Sequence, residues 1–79
     1  MGFAKSEKEI AERAARFLKV ELKRANVTYE ELAAATKKHG VEETKDSVAA
    51  KLKRGTFPAT FFIAALVAIG AEVVKLEDI

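Results

Sequence analysis

The stretch KRGTFPATFF, residues 53–62, decides the fold that this sequence predicts. Lysine and arginine side chains favour the last turn of a helix, where they meet free carbonyl groups and the negative end of the helix dipole. Gly55 follows them and suits the left-handed residue that ends many helices. Pro58 suits the first turn of the next helix, where a missing N–H costs nothing. The stretch therefore predicts that one helix ends at Gly55 and another opens at Pro58.

The helix that opens at Pro58 contains no charged residue as far as Gly70. Its apolar side chains cover two faces, with Phe62, Leu66 and Ile69 on one and Ile63 and Val67 on the other. A helix that is apolar all round is either central to a core or covered by a second subunit. One small domain cannot easily hide such a helix, so we expect a homodimer contact. The residues expected at that contact are Phe61, Val67, Val74 and Leu76.

The tail, residues 71–79, changes its hydrophobic period. Val74 and Leu76 alternate with Lys75 and Glu77, which is typical of a short strand. A lone strand leaves backbone groups unpaired, so two tails from two subunits could pair antiparallel. A frayed tail or a final helical turn is the alternative.

The helix that ends at Gly55 has a start signal of its own. Thr44 is a plausible N-cap, and Asp46 follows in the first turn, where the helix dipole favours an anion. Val48 and Leu52 are four residues apart and would form one narrow buried stripe. We call this segment predicted helix 3.

Two earlier helices begin with capping boxes, in which an N-cap side chain and the side chain three residues later cap the helix start reciprocally. Ser6 and Glu9 precede an apolar series of helical period, which predicts helix 1 over residues 7–25 with Asn26 closing it. Thr28 and Glu31 form the second box, which predicts helix 2 from Tyr29 to about His39 with Gly40 just after it. The fold class expected is therefore all-α with four helices. Residues 1–79 form one domain, with residues 1–6 expected to be a disordered N-terminus.

Composition limits the possible functions. The chain has 14 Lys and Arg against 12 Asp and Glu, so its net charge of +2 is weaker than the basic bias of most nucleic-acid binders. It contains no cysteine, which excludes disulfides and thiolate metal sites and favours a reducing compartment. The N-terminal stretch has no apolar core typical of a secretory signal, and the helix after Pro58 is too short to span a bilayer. We expect a cytoplasmic protein that does not bind a membrane.

Catalytic chemistry finds no support in the sequence. His39 is the only histidine and stands beside a helix-ending glycine, and a metal site needs three or four donors. The chain has neither a nucleophile with a plausible base nor a glycine loop that could hold a phosphate. We therefore expect no catalytic residue, cofactor, metal or small-molecule substrate.

The order of these motifs resembles the Cro/C1-type helix-turn-helix domain, and it is also similar to a group of short bacterial domains of unknown function. The matching residues lie at the start of helix 2, the turn after it, helix 3 and the following helix: Thr28, Glu30, Glu31, Leu32, Ala33, Gly40, Val41, Val48, Leu52, Arg54, Gly55, Pro58, Ile69 and Gly70. The resemblance implies a small DNA-binding transcriptional regulator in which helix 3 enters the major groove. The DNA-contacting residues that it implies are Thr28, Tyr29, Lys45, Ser47, Lys51, Lys53 and Arg54.

The residues also support an alternative function. Glu42, Glu43 and Asp46 crowd the end of helix 3 that would approach the polyanionic DNA. Three cations of helix 1 share their face with Glu9 and Glu12, which favours a solvated, ion-paired surface over a phosphate track; they are Arg16, Lys19 and Lys23. The alternative is therefore a protein–protein interaction or dimerisation module of the same fold that does not bind DNA.

Overall fold

The computed structural model describes residues 4–79, which form four α-helices and one short 3-10 turn. The helices are α1 (Glu7–Ala25), α2 (Tyr29–Lys37), α3 (Lys45–Arg54) and α4 (Ala59–Ala68), and the 3-10 turn is Leu76–Asp78. Helix α2 packs against both α3 and α4, and α1 packs against α3. The predicted all-helical class with four helices is confirmed. The predicted disorder of residues 1–6 falls partly on residues 1–3, outside the described residues.

Side-chain caps fix where the first three helices begin. The Ser6 hydroxyl accepts the Glu9 N–H at 3.1 Å, and Thr28 does the same for Glu31 at 3.1 Å. Because the Glu31 carboxylate in turn accepts the Thr28 N–H at 2.9 Å, the predicted capping box of α2 is complete. Thr44 is the N-cap of α3, as predicted. Pro58 stands one position earlier than predicted, since it is the N-cap of α4 and not its first helical residue.

The capping box of α2 also sets the charge of its carboxyl group. The Thr28 backbone N–H, and secondarily the Thr28 side chain, hold the pKa of the Glu31 carboxyl below its ordinary value. A hydrogen bond to the ionised form favours that form. Glu31 therefore stays charged, next to the positive end of the α2 dipole, throughout the neutral range.

Gly40 and Gly55, predicted to follow α2 and α3, both adopt the left-handed backbone conformation. Helix α2 runs into a tighter turn after Lys37, in which the Val41 N–H donates to the Thr36 carbonyl at 3.1 Å around Gly40, whose φ is 77°. Gly55 ends α3 with a φ of 82°, and its N–H donates to the Lys51 carbonyl at 3.0 Å. Both hydrogen bonds satisfy carbonyls that the helices leave free. The glycine stop predicted for α3 is confirmed, whereas α2 ends at Lys37, two residues before the predicted end at His39.

All four helices contribute to one core. The largest fully buried side chains are Leu18, Leu32, Thr36, Val48, Leu52 and Phe61. Thr36 is the buried polar member, and its hydroxyl donates to the Ala33 carbonyl at 3.1 Å, so burying it leaves no unsatisfied donor. The stripe predicted on helix 3, Val48 and Leu52, is therefore confirmed as core.

The phenylalanines around Pro58 join this core. The Phe57 ring lies edge-on to the Phe61 ring, with centroids 5.4 Å apart, and is stacked with the Phe62 ring at 5.9 Å. Phe61 is only 1% exposed. We expected Phe61 at a dimer contact, and that expectation is corrected: α4 turns this side chain toward the interior of its own chain.

The tail lies along α1 and forms no strand within residues 4–79, so the predicted strand is wrong. Residues 71–75 have no regular structure, and the 3-10 turn follows them, which is the alternative of a final helical turn. The Arg13 Nε donates to the main-chain oxygen of Ile79 at 2.8 Å and draws the tail back onto α1. Val74 is half-buried and packs against the core, whereas Leu76 is exposed. Among residues 4–79, no helix combines the length and apolarity needed to cross a bilayer.

Candidate nucleic-acid interface

Helix α3 is the element to which the sequence assigns most of the DNA-contacting residues. Its buried stripe faces α1 and α2, and its opposite side is open to solvent. The exposed side chains of this helix are Lys45, Asp46, Ala50, Lys53 and Arg54. The exposed positions of α3 therefore carry three cations and one acid.

A cluster of polar side chains ties the segment before α3 to the helix. The Glu43 carboxylate, whose side chain is only 6% exposed, accepts the Ser47 hydroxyl at 2.6 Å and the Lys51 ammonium at 3.0 Å. Ser47 Oγ also accepts the Thr44 N–H at 2.8 Å, and the Thr44 hydroxyl accepts the Ser47 N–H at 3.0 Å. We call Glu43, Ser47 and Lys51 the Glu43 cluster. It closes the capping box at the start of α3 and fixes the chain that leads into it.

The Glu43 cluster occupies two residues that were predicted to contact DNA. The Lys51 side chain is 20% exposed, and its Nζ lies 5.7 Å from the centroid of the Phe61 ring as well as 3.0 Å from Glu43. The Ser47 hydroxyl donates a hydrogen bond to Glu43 and accepts one from the Thr44 N–H. Either residue would have to break these contacts to reach a phosphate or a base. We expected the Glu43 carboxylate to repel DNA, but it forms an ion pair with the Lys51 ammonium.

The residues predicted at the start of α2 are also engaged within the chain. The Thr28 hydroxyl caps Glu31, and Tyr29 is half-buried against the core. Their position at a helix start is as predicted, but their side chains serve the fold.

Three of the predicted DNA-contacting residues keep their charges at the surface: Lys45, Lys53 and Arg54. Lys45 is the first residue of α3, and the other two are its last. The Arg54 guanidinium donates from Nε to the Thr56 hydroxyl at 3.0 Å and from one Nη to the Thr56 carbonyl at 3.0 Å. These bonds hold Arg54 over the turn that follows α3.

The residues predicted at a dimer contact differ in how far they are exposed to solvent. Phe61 is buried, Val74 is half-buried, and Val67 and Leu76 are exposed. Ile63, one turn before Val67 on α4, is 59% exposed and Val67 is 48% exposed. The apolar surface that α4 leaves uncovered is therefore the Ile63–Val67 pair, which we call the α4 ridge.

Sequence reasoning missed the Glu43 cluster, although a signal for it exists. Glu43, Ser47 and Lys51 are spaced by four residues, which is the spacing that stacks side chains on one face of a helix. The signal was obscured because Glu43 precedes the N-cap and lies outside the helix itself. Within residues 4–79, no group of three or more His, Cys, Asp and Glu side chains is placed to hold a metal ion.

Comparison with known proteins identifies a family without a described activity. A family profile described as a domain of unknown function, DUF6471, matches residues 1–74. No curated protein and no solved structure gives a significant match to the chain.

Proposed function

This chain belongs to the DUF6471 family, a domain of unknown function, and we propose that it binds double-stranded DNA as a small cytoplasmic regulator of helix-turn-helix type. The observation that carries the proposal is the placement of α3. The helix is fixed in the core by Val48 and Leu52, and its exposed positions include cations at both ends. A helix held in this way is suited to lie in a groove of the duplex.

The spacing of the exposed cations supports contact with both strands. At about 1.5 Å per residue, Lys45 and Arg54 start about 13 Å apart along the axis of α3. Nine residues are about two and a half helical turns, so the two side chains project from opposite sides of α3, toward the two walls of a major groove about 12 Å wide. Lys45 would contact one strand, and Lys53 with Arg54 the other. These contacts position the protein, since phosphates carry no sequence information.

The test is the salt dependence of binding to a short random-sequence duplex, followed by fluorescence anisotropy. The triple variant Lys45→Gln, Lys53→Gln, Arg54→Gln removes the proposed phosphate contacts. Each lost contact is expected to lower the slope of log K against log salt by about 0.9, so the slope of the triple variant should fall by roughly three.

A matched control removes the same charge elsewhere. Lys37, Lys38 and Lys75 are exposed and lie at the end of α2 and in the tail. Changing these three to Gln should leave the slope within about one of the original. Absence of binding by the unchanged protein at low salt and tens of micromolar concentration would refute the proposed function.

The α4 ridge favours a second candidate function, that of a homodimeric interaction module. Ile63 and Val67 are four residues apart on a helix that carries no charge, so they form one continuous apolar surface. A second copy of the chain would cover the ridge with the same ridge across a two-fold axis. Such a dimer is compatible with DNA binding, because the ridge and the exposed face of α3 are on different helices.

Light scattering at high micromolar concentration tests the second candidate. We expect a dimer that Val67→Glu converts to a monomer of unchanged helical content, since a charge on the ridge opposes its burial. Ala34, which is exposed on α2, provides the control, and Ala34→Glu should leave the dimer intact. A monomeric original protein under these conditions would rule out the homodimer.

A further inference from the structure

A groove of about 500 Å³ lies between α1 and the end of α3. Its floor contains Ala15 and Leu52, which are 5% and 1% exposed. Its two sides come from different helices, with Arg16 and Lys19 on α1 and Lys53 and Arg54 on α3. We call it the α1–α3 groove. Its cations are remote in sequence, and only the packing of α1 on α3 brings them together.

The α1–α3 groove concentrates the positive charge of the protein. It is lined by four cations and one carboxylate, that of Glu12, which makes a net charge of +3. The whole chain carries only +2, so the remaining surface is slightly acidic. A weak total charge therefore coexists with a locally strong positive potential, which is the feature that attracts a polyanion.

Two details favour a phosphate-bearing ligand. Arg16 and Lys19 are three residues apart and so project from the same face of α1. Arg54 is held by its hydrogen bonds to Thr56, so ordering its side chain on binding costs little additional entropy. The groove thus presents a cation held by hydrogen bonds on the α3 side and two exposed cations on the α1 side.

We propose that the α1–α3 groove binds the sugar–phosphate backbone of the duplex beyond the segment that α3 contacts. This inference rests on the proposed function, because Lys53 and Arg54 belong both to the exposed face of α3 and to the groove. The strand that meets these two residues continues over Arg16 and Lys19. Helix α1 therefore extends the DNA contact by about two phosphates, which are recognised by charge and not by sequence.

The experiment compares the double variant Arg16→Gln, Lys19→Gln with the double variant Lys38→Gln, Lys75→Gln, on a short random-sequence duplex. Both pairs are exposed, so each variant should fold, and both remove two positive charges. The groove variant should lower the slope of log K against log salt by about two. When salt is raised from about 50 to about 200 mM, the affinity of the unchanged protein for the duplex should therefore fall by a factor about ten times larger than the affinity of the groove variant does.

The remaining outcomes separate this inference from the proposed function. An unchanged slope in the groove variant, with firm binding by the original protein, overturns the groove contact and leaves DNA binding standing. An equal loss in the Lys38 and Lys75 control also overturns it, since total charge would then explain the effect. If the original protein binds no duplex, both the proposed function and the groove contact fail.

Discussion

Replacing Phe61 with alanine is expected to lower the free energy of unfolding by about 3–5 kcal/mol. Phe61 is 1% exposed and belongs to the core that all four helices share. The substitution removes the transfer free energy of the ring and leaves a cavity that the neighbouring helices can only partly fill. It also removes the edge-on contact with the Phe57 ring, whose centroid lies 5.4 Å away.

A loss of this size is large for so short a chain. Natural domains have roughly 0.05–0.15 kcal/mol of stability per residue, which gives about 4–12 kcal/mol at this length. The Phe61→Ala loss therefore removes at least about a quarter of this stability, and at the lower end of the range it unfolds the variant at room temperature. Urea unfolding followed by far-ultraviolet circular dichroism measures the change directly.

Val67 supplies the matched control, because it lies on the same helix and is 48% exposed. Val67→Ala should change the free energy of unfolding by no more than about 0.5 kcal/mol when measured on the monomer. If Phe61→Ala cost as little as this control, Phe61 would not be a core residue and the packing of α4 on α2 would be wrong. The comparison also separates folding from self-association, since the exposed Val67, unlike the buried Phe61, is expected at a subunit contact.

The signals that predicted the fold act over a few residues. A capping box and a left-handed glycine are settled by side chains within one helical turn, as at Thr28 with Glu31 and at Gly55. These short-range rules placed the helix boundaries to within about two residues. Pro58 was misplaced by one position because proline is compatible with both the N-cap and the first turn.

The features that could not be predicted depend on contacts between distant segments. Phe61 and Phe62 are adjacent and chemically identical, and only the direction in which α4 packs on α2 decides which is buried. The tail alternates like a strand, but Arg13 in α1 binds the main chain of Ile79 and a helical turn forms instead. The α1–α3 groove also depends on contacts between distant segments, since the cations on its two sides lie more than thirty residues apart in the chain.

Removing the Glu43 carboxylate is expected to lower the free energy of unfolding by about 2–3 kcal/mol. In Glu43→Ala, the Lys51 ammonium and the Ser47 hydroxyl lose the oxygen that accepts them both. Breaking a fully buried ion pair costs about 3–5 kcal/mol, and the expected value is lower here because the Lys51 side chain remains 20% exposed to water. The measurement is again urea unfolding, and Glu42→Ala is the control, since Glu42 is the exposed neighbouring acid.

A double-mutant cycle isolates the ion pair. Lys51→Met keeps the apolar stem near the Phe61 ring but removes the charge, which leaves the Glu43 carboxylate with Ser47 alone. The double variant Glu43→Ala, Lys51→Met should be more stable than the sum of the single effects allows, by about 1–2 kcal/mol. Additive effects would mean that the two charges contribute independently.

The same Lys51→Met variant decides between a structural and a DNA-contacting lysine. If Lys51 serves the Glu43 cluster, its loss lowers stability and leaves the salt dependence of duplex binding unchanged, provided binding is measured where the variant is folded. If Lys51 also contacts a phosphate, as the resemblance implied, stability falls in the same way and the slope of log K against log salt falls by about 0.9 as well. A change in stability alone would place the DNA-facing charge of α3 on Lys45, Lys53 and Arg54. A change in slope would show that the ion pair opens when DNA binds, and that Glu43 then confronts the duplex unpaired.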